Sequence, residues 1–253
     1  MNTRKIVAIG GGEIEKFKTL DIDKEIVRLS GKKHPKALFI PTASNDDKGK
    51  FGIFQKVYGK KLGCNTDVLY LIKSNPTKKQ IRNKILSSDL IYVGGGNTLK
   101  MMRLWRRLGV DRILENAYHK GVVLSGKSAG AICWFKYGHS DSLSFYKPAH
   151  WDYIRVRGMG IIDALACPHY NKKTGNKKRS SYFQRMIKKY GGIGIAMDDN
   201  CAIEFINNKY KIITSKKNAN AYKIYKKNGE LVVKIIEQKR DLTPLAALLK
   251  RQG

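Results

Sequence analysis

Val122-Val123-Leu124-Ser125-Gly126-Lys127-Ser128-Ala129-Gly130-Ala131 is the stretch from which the fold is read. It opens as a short apolar strand and turns at Gly126 to Gly130, a match to G-x-S-x-G. The apolar residues that follow, Ala131, Ile132, Trp134 and Phe135, permit a helix. Strand, tight turn, helix is the context in which this pentapeptide carries a nucleophile, because small neighbours let the backbone fold sharply and lift the Ser128 Oγ above a sheet. Near a helix N-terminus, backbone donors and the helix dipole favour developing negative charge. Cys133 falls inside the apolar stretch and reads as core.

Upstream, the same alternation repeats. Short apolar runs at Lys5–Ile9, Ala37–Ile40, Thr66–Leu71 and Leu90–Val93 alternate with helical patterns over 21–30, 50–62, 77–86, 98–108 and 111–120. Strands apolar on both sides and separated by helices predict a mostly parallel sheet covered on both faces. In such sheets, sites lie beyond the carboxyl ends of the strands. The turns at 10–12, 41–46, 94–98 and 126–130 are therefore expected along one edge. After Gly158, the apolar run Ile161–Ala166 ends in Cys167-Pro168-His169-Tyr170, and a Lys-rich loop leads to a helix near 180–190. From Ile193 to about Ile236 the chain reads as short strands, and turns at Asn207-Asn208 and Lys227-Asn228-Gly229 predict a C-terminal β-hairpin region. A short helix follows over 242–249. No repeat or linker interrupts residues 1–253, which read as a single domain.

A serine nucleophile needs a base, and histidine is the usual one near neutral pH. Of the five histidines, His169 follows a strand-like run and Pro168 and is expected at a strand's carboxyl end. His34, His119 and His150 read as surface residues, and His139 as lying at the far end of the helix that follows Ser128. The acid that orients the base has candidates in Asp141, Asp152 and Asp163. Asp141 lies in a polar loop, and the order Ser128, Asp141, His169 is one used by α/β hydrolases. Gly94-Gly95-Gly96-Asn97-Thr98 follows a strand and precedes a helix, a place for an oxyanion hole shared with the Ala129 N–H or for a phosphate. Neither glycine triplet completes a nucleotide-binding signature.

Composition narrows the class. Lys and Arg number 50 against 20 Asp and Glu, a formal charge of +30. The basic residues are scattered as short runs, which read as solvated surface; nucleic acid is not the expected partner, and attraction of an acidic substrate is the weaker functional reading. Cys64, Cys133, Cys167 and Cys201 are widely spaced, against a zinc site or a disulfide framework. The N-terminal residues lack the apolar length of a signal peptide, and no run reaches the ~20 residues of a membrane span. A cytoplasmic protein with no metal is the expectation.

Taken together, Val93-Gly94-Gly95-Gly96-Asn97-Thr98, Gly126-Lys127-Ser128-Ala129-Gly130-Ala131 and Pro168-His169-Tyr170 resemble the peptidase E family of serine peptidases, which includes aspartyl dipeptidases and, more distantly, cyanophycinases. The resemblance spans roughly residues 5 to 215. It implies a three-layer α/β sandwich with a mostly parallel central sheet, similar to class I glutamine amidotransferases. It implies Ser128 as nucleophile, His169 as base, Asp141 as the acid, and Gly95, Gly96 and Asn97 as the oxyanion loop, with no organic cofactor. Two positions depart from the family pattern. Lys127 stands where an uncharged residue is usual, and Asn171 to Arg179 lacks the acidic residue of aspartyl dipeptidases, leaving Arg179 to meet a substrate carboxylate.

These readings converge on a serine peptidase of small peptides, a monomer or homodimer. Asn97, Thr98 and Arg179 would contact substrate, with a preference for acidic residues. The alternatives are an amidase or esterase, and a non-catalytic protein binding through its basic surface.

Overall fold

The computed structural model describes residues 2–250. The chain opens with five strands, β1 (Lys5–Ile9), β2 (Lys36–Ile40), β3 (Asn65–Val68), β4 (Leu90–Val93) and β5 (Val123–Lys127). Between them run α1 (Leu20–Leu29), α2 (Lys48–Phe54), α3 (Lys78–Leu86), α4 (Thr98–Leu108) and α5 (Val110–His119). After the short α6 (Ala129–Ile132) come β6 (Phe135–Ser140), β7 (Ile154–Arg157), β8 (Ile162–Cys167) and a two-residue hairpin, β9 (Lys173–Thr174) with β10 (Lys177–Lys178). Helix α7 (Arg179–Tyr190) leads to β11 (Gly194–Met197), β12 (Cys201–Ile206), β13 (Lys209–Thr214), β14 (Ala221–Lys227), β15 (Glu230–Ile235), β16 (Thr243–Pro244) and α8 (Leu245–Leu249).

The strands form an eight-stranded sheet, order β16-β13-β12-β1-β5-β4-β2-β3, and a six-stranded sheet, order β15-β14-β11-β8-β6-β7. Strands β1 to β5 are mutually parallel where they pair, and β12 and β13 extend the first sheet antiparallel. In the second sheet β6, β8 and β11 are parallel, and the two expected hairpins are present, β12–β13 in the first sheet and β14–β15 in the second. This is the α/β architecture expected from the alternation of strands and helices.

Alternate residues of β1 enter different cores, Ile6 and Ala8 one, Val7 and Ile9 the other. A strand apolar throughout must lie in a sheet covered on both faces, because its side chains alternate sides. The parallel register of β1, β5, β4 and β2 brings the loops at 10–12, 126–130, 94–98 and 41–46 to one edge.

Two local readings are corrected. Helix α6 is only four residues long, and the chain re-enters a strand at Phe135, so His139 lies in β6 instead of at a helix end. His139 is fully buried and stacked on Tyr153 at 4.0 Å. Strand β3 stops at Val68, and Leu69 to Leu71 continue as loop.

Candidate active site

Ser128 sits at the junction of β5 and α6 with φ 59° and ψ −113°. A non-glycine residue there is strained by about 1–3 kcal/mol, which persists only when the surroundings hold it. The neighbours show how it is held. A Cβ on Gly126 would strike the Gly130 carbonyl, and one on Gly130 would strike the Val93 carbonyl. Both glycines are therefore imposed by the close approach of backbone to backbone. Cys133 is fully buried, and burial pushes its thiol far up, which removes it as a rival nucleophile.

The loop after β1 gathers the other parts. The Ser128 N–H donates to the Ile9 carbonyl at 3.1 Å, and the His169 N–H donates to the next carbonyl, Gly10, at 3.0 Å. The Asn200 N–H donates to Gly11 at 2.9 Å. Three consecutive carbonyls thus receive the elbow, the end of β8 and the end of β11. His169 Nδ1 lies 2.5 Å from Asp199 Oδ1. A Cβ on Gly11 would occupy the space of both the His169 ring and the Asp199 carboxylate, so the glycine is what lets that pair pack against β1. Burial acts to raise the Asp199 carboxyl, but the His169 hydrogen bond and the nearby His169, Lys172 and Lys127 charges outweigh it and hold the group below its usual range. The Asn171 side chain accepts the Asp199 N–H at 3.0 Å and fixes the carboxylate's backbone.

Asp199, not Asp141, is therefore the carboxylate at His169. Asp141 instead forms a short ion pair with Arg179 and accepts from Thr174 Oγ1 at 3.3 Å. That arrangement also corrects the reading of Arg179 as a substrate ligand, since its side chain is 7% exposed and its charge is already paired. The Lys-rich loop folds back as the β9–β10 hairpin, with Thr174 and Arg179 tied to Asp141. Asp152 and Asp163 are exposed and face Lys177 and Lys136. The signal for Asp199 was present in Ile193-Gly194-Ile195-Ala196-Met197-Asp198-Asp199: an apolar strand ending in acids, as Ile162–Cys167 ends in Pro168-His169. It was obscured by reading the whole region as antiparallel hairpins, whereas β11 pairs in parallel with β8.

Gly95 faces the serine. A Cβ built on it would lie 3.1 Å from the Ser128 Cβ and 3.7 Å from its Oγ. The Gly94 and Asn97 N–H groups are occupied by the Ile40 and Ala43 carbonyls. Among the described residues, the Gly95 and Gly96 amides between them have no protein acceptor. Asn97 caps α4, its side chain accepting from the Lys100 N–H, and Thr98 is 1% exposed, so Thr98 is packing and not a substrate contact.

Two cavities flank the Gly94–Gly96 loop. The smaller, about 200 Å³, is bounded by Gly94, Gly95, Lys127, Lys50, Tyr92 and Glu15. The Lys127 ammonium donates to the Gly12 carbonyl at 2.9 Å, and burial pulls its pKa below the ordinary lysine value. The Tyr92 hydroxyl is buried in this wall with no hydrogen-bond partner among the described residues. The larger cavity, about 410 Å³, reaches Gly96 and Asn97 from the other side.

A strained serine elbow beside a His–Asp pair is an arrangement suited to acyl-transfer hydrolysis. The model of Peptidase family S51 matches residues 6–213, and the chain belongs to that family. It is 34% identical over 231 residues to the uncharacterized peptidase YgaJ of Bacillus subtilis, covering 90% of this chain and 95% of the relative. It is 27% identical over 159 residues to the uncharacterized peptidase Lmo0363 of Listeria monocytogenes, covering 61% of this chain and 73% of the relative. Among solved structures, it is similar to a peptidase from an acI-B1 Actinobacterium (TM-score 0.69, 17% identity, 95% of this chain and 96% of that one). It is also similar to a putative peptidase E protein from Listeria monocytogenes (TM-score 0.64, 18% identity, 84% and 98%). The protein is thus a serine-type peptidase, as the resemblance implied. No helix among the described residues is long and apolar enough to cross a membrane.

Proposed function

We propose that the protein cleaves short peptides through Ser128, His169 and Asp199. The reading is carried by one observation: the strained Ser128 elbow and the His169–Asp199 pair are bonded to adjacent carbonyls of the β1 loop. Ser128 Oγ attacks the scissile carbonyl while His169 takes its proton. Asp199 holds the Nδ1–H and so presents the other ring nitrogen to the serine. The Gly95, Gly96 and Ala129 N–H groups receive the oxyanion. His169 returns the proton to the leaving amine, and water, deprotonated by the same imidazole, releases the acyl group.

The small cavity supports an acidic residue on the acyl side. Its Lys127 and Lys50 ammonium groups suit a side-chain carboxylate, and Glu15 at the rim suits a free α-ammonium. An N-terminal aspartate or glutamate presents both charges, which is the basis for reading the activity as dipeptidase-like. A fluorophosphonate probe should label the wild-type protein and fail on Ser128→Ala, and Asp-X dipeptides should be cleaved faster than Ala-X. Ser128→Ala is expected to lower turnover by roughly 10⁶-fold with an unchanged melting curve. Retained hydrolysis in that folded variant would remove the serine from the mechanism.

A further inference from the structure

The larger cavity does not end at Asn97. It shares Lys100 and Tyr146 with a second cavity of about 520 Å³ that runs along α4 past Arg103 and Arg107. Positions 100, 103 and 107 fall on one helix face, because steps of three and four residues return to nearly the same side. Arg106 points elsewhere and donates to the Arg157 carbonyl. The groove is rich in uncommitted charge. Arg103 and Arg107 are exposed and have no carboxylate within ion-pair distance among the described residues, and the Lys100 ammonium rests on the Asn45 side-chain oxygen. Lys50 stands between the smaller and larger cavities and lines both. The one acid lining the larger, Asp47, is engaged by the N–H groups of Gly49 and Lys50 as the cap of α2. Phe145 and Tyr146, 58% and 55% exposed, supply an aromatic rim. The far wall is fastened by buried Asp46, which accepts the Ile72 and Lys73 N–H groups at 2.5 and 3.0 Å.

We infer that this face of α4 holds the part of the substrate beyond the scissile bond, and that this part is an acidic peptide. The placement rests on the reading of Ser128 above: the smaller cavity at Gly95 takes the acyl residue, which leaves the larger groove at Gly96 for the leaving side. The dimensions agree. Lys100 to Arg107 spans about 10 Å at 1.5 Å per helical residue, the length of about three residues of extended peptide at 3.3 Å each. Alternate side chains of an extended peptide lie on one side about 7 Å apart, within reach of successive cations on the helix. A substrate of four or five residues with acids at alternate positions would fill this groove, which a dipeptide leaves empty beyond its second residue. The net charge of +30 would then speed encounter with such a substrate, in a salt-dependent way.

The test separates the groove from the chemistry. Ser128→Ala protein is titrated by fluorescence anisotropy with labelled Asp-Ala-Glu-Ala-Glu and Asp-Ala-Lys-Ala-Lys. The acidic peptide should bind about tenfold more tightly in low salt, as expected of two partly exposed ion pairs gained in place of two like-charge contacts. The difference should shrink as salt is raised and disappear in Arg103→Glu/Arg107→Glu, with Arg103→Gln/Arg107→Gln intermediate and both variants melting as the parent does. Equal binding of the two peptides, or a preference that survives the double reversal, overturns the inference. So does a single-stranded oligonucleotide that binds through Arg103 and Arg107 where the acidic peptide does not. If the preference holds but Ser128 fails to react with the probe, the groove stands as an acidic-peptide site and the catalytic reading alone falls.

Discussion

Asp199 and Asp141 each meet a basic partner far along the chain, 30 and 38 residues away, and the two pairs are built for different ends. Asp199 faces an imidazole that can change charge, at an edge where His169 is still a quarter exposed. Asp141 faces a guanidinium that stays charged and is buried against Tyr153. In the proposed mechanism the first pair moves a proton at a neighbouring atom. The second fastens the β9–β10 hairpin and the start of α7 to the end of β6. Buried charge is expensive wherever it lies, so a fold keeps it either for chemistry or for register.

Substitution should separate the two pairs most sharply at Asp199. Asp199→Asn is expected to lower kcat by about 10⁴-fold while the protein melts normally, because the amide no longer selects the right imidazole tautomer. Steady-state kinetics beside a thermal melt measures both. Asp141→Ala should do the reverse. It leaves the Arg179 guanidinium buried without its carboxylate, a loss of about 3–5 kcal/mol of stability read by urea denaturation, with turnover per folded molecule near that of the parent. If Asp141→Ala proves as inactive as Asp199→Asn yet fully stable, the two aspartates have been assigned the wrong way round.

A smaller effect concerns a third aspartate, which has no cation within ion-pair distance among the described residues and feels the Lys127 charge only from farther off. Asp23 is fully buried, accepts from Thr19 and Tyr58, and burial pushes it up to about 6. A carboxyl that holds its proton more tightly when folded contributes stability below its unfolded pKa. That contribution is lost as pH rises through the folded value. Wild type should therefore lose up to about 3 kcal/mol relative to Asp23→Asn between pH 4 and pH 7. Parallel pH dependence of the two melting curves would show that Asp23 does not titrate as proposed.

The fold was legible because its signals are local. A run such as Ile6 to Ile9, apolar on both sides, can only be satisfied in a sheet covered twice, and Gly126 and Gly130 mark a turn where backbones touch. Ser128 and His169 could be nominated because each follows such a strand. The carboxylate that meets His169 could not be picked out. Asp141 stood between them in the chain and in the order used by other hydrolases, and Asp199 lay beyond His169 in a stretch whose β character was clear but whose pairing was not. The role of Gly11 was hidden for the same reason, since a glycine after a strand reads only as a turn until the ring and carboxylate it admits are seen.

The amino-acid sequence by itself determined the strand–helix alternation, the strained elbow at Ser128, and the placing of glycine turns and His169 at strand ends, because these depend on side-chain periodicity and local steric limits. Only the tertiary structure decided that β11 lies parallel to β8, that Asp199 reaches His169 while Asp141 is bound to Arg179, and that two cavities open on either side of Gly95. Those outcomes depend on which distant strands become neighbours, and carboxylates of the same chemistry are told apart only by what surrounds them in the folded chain.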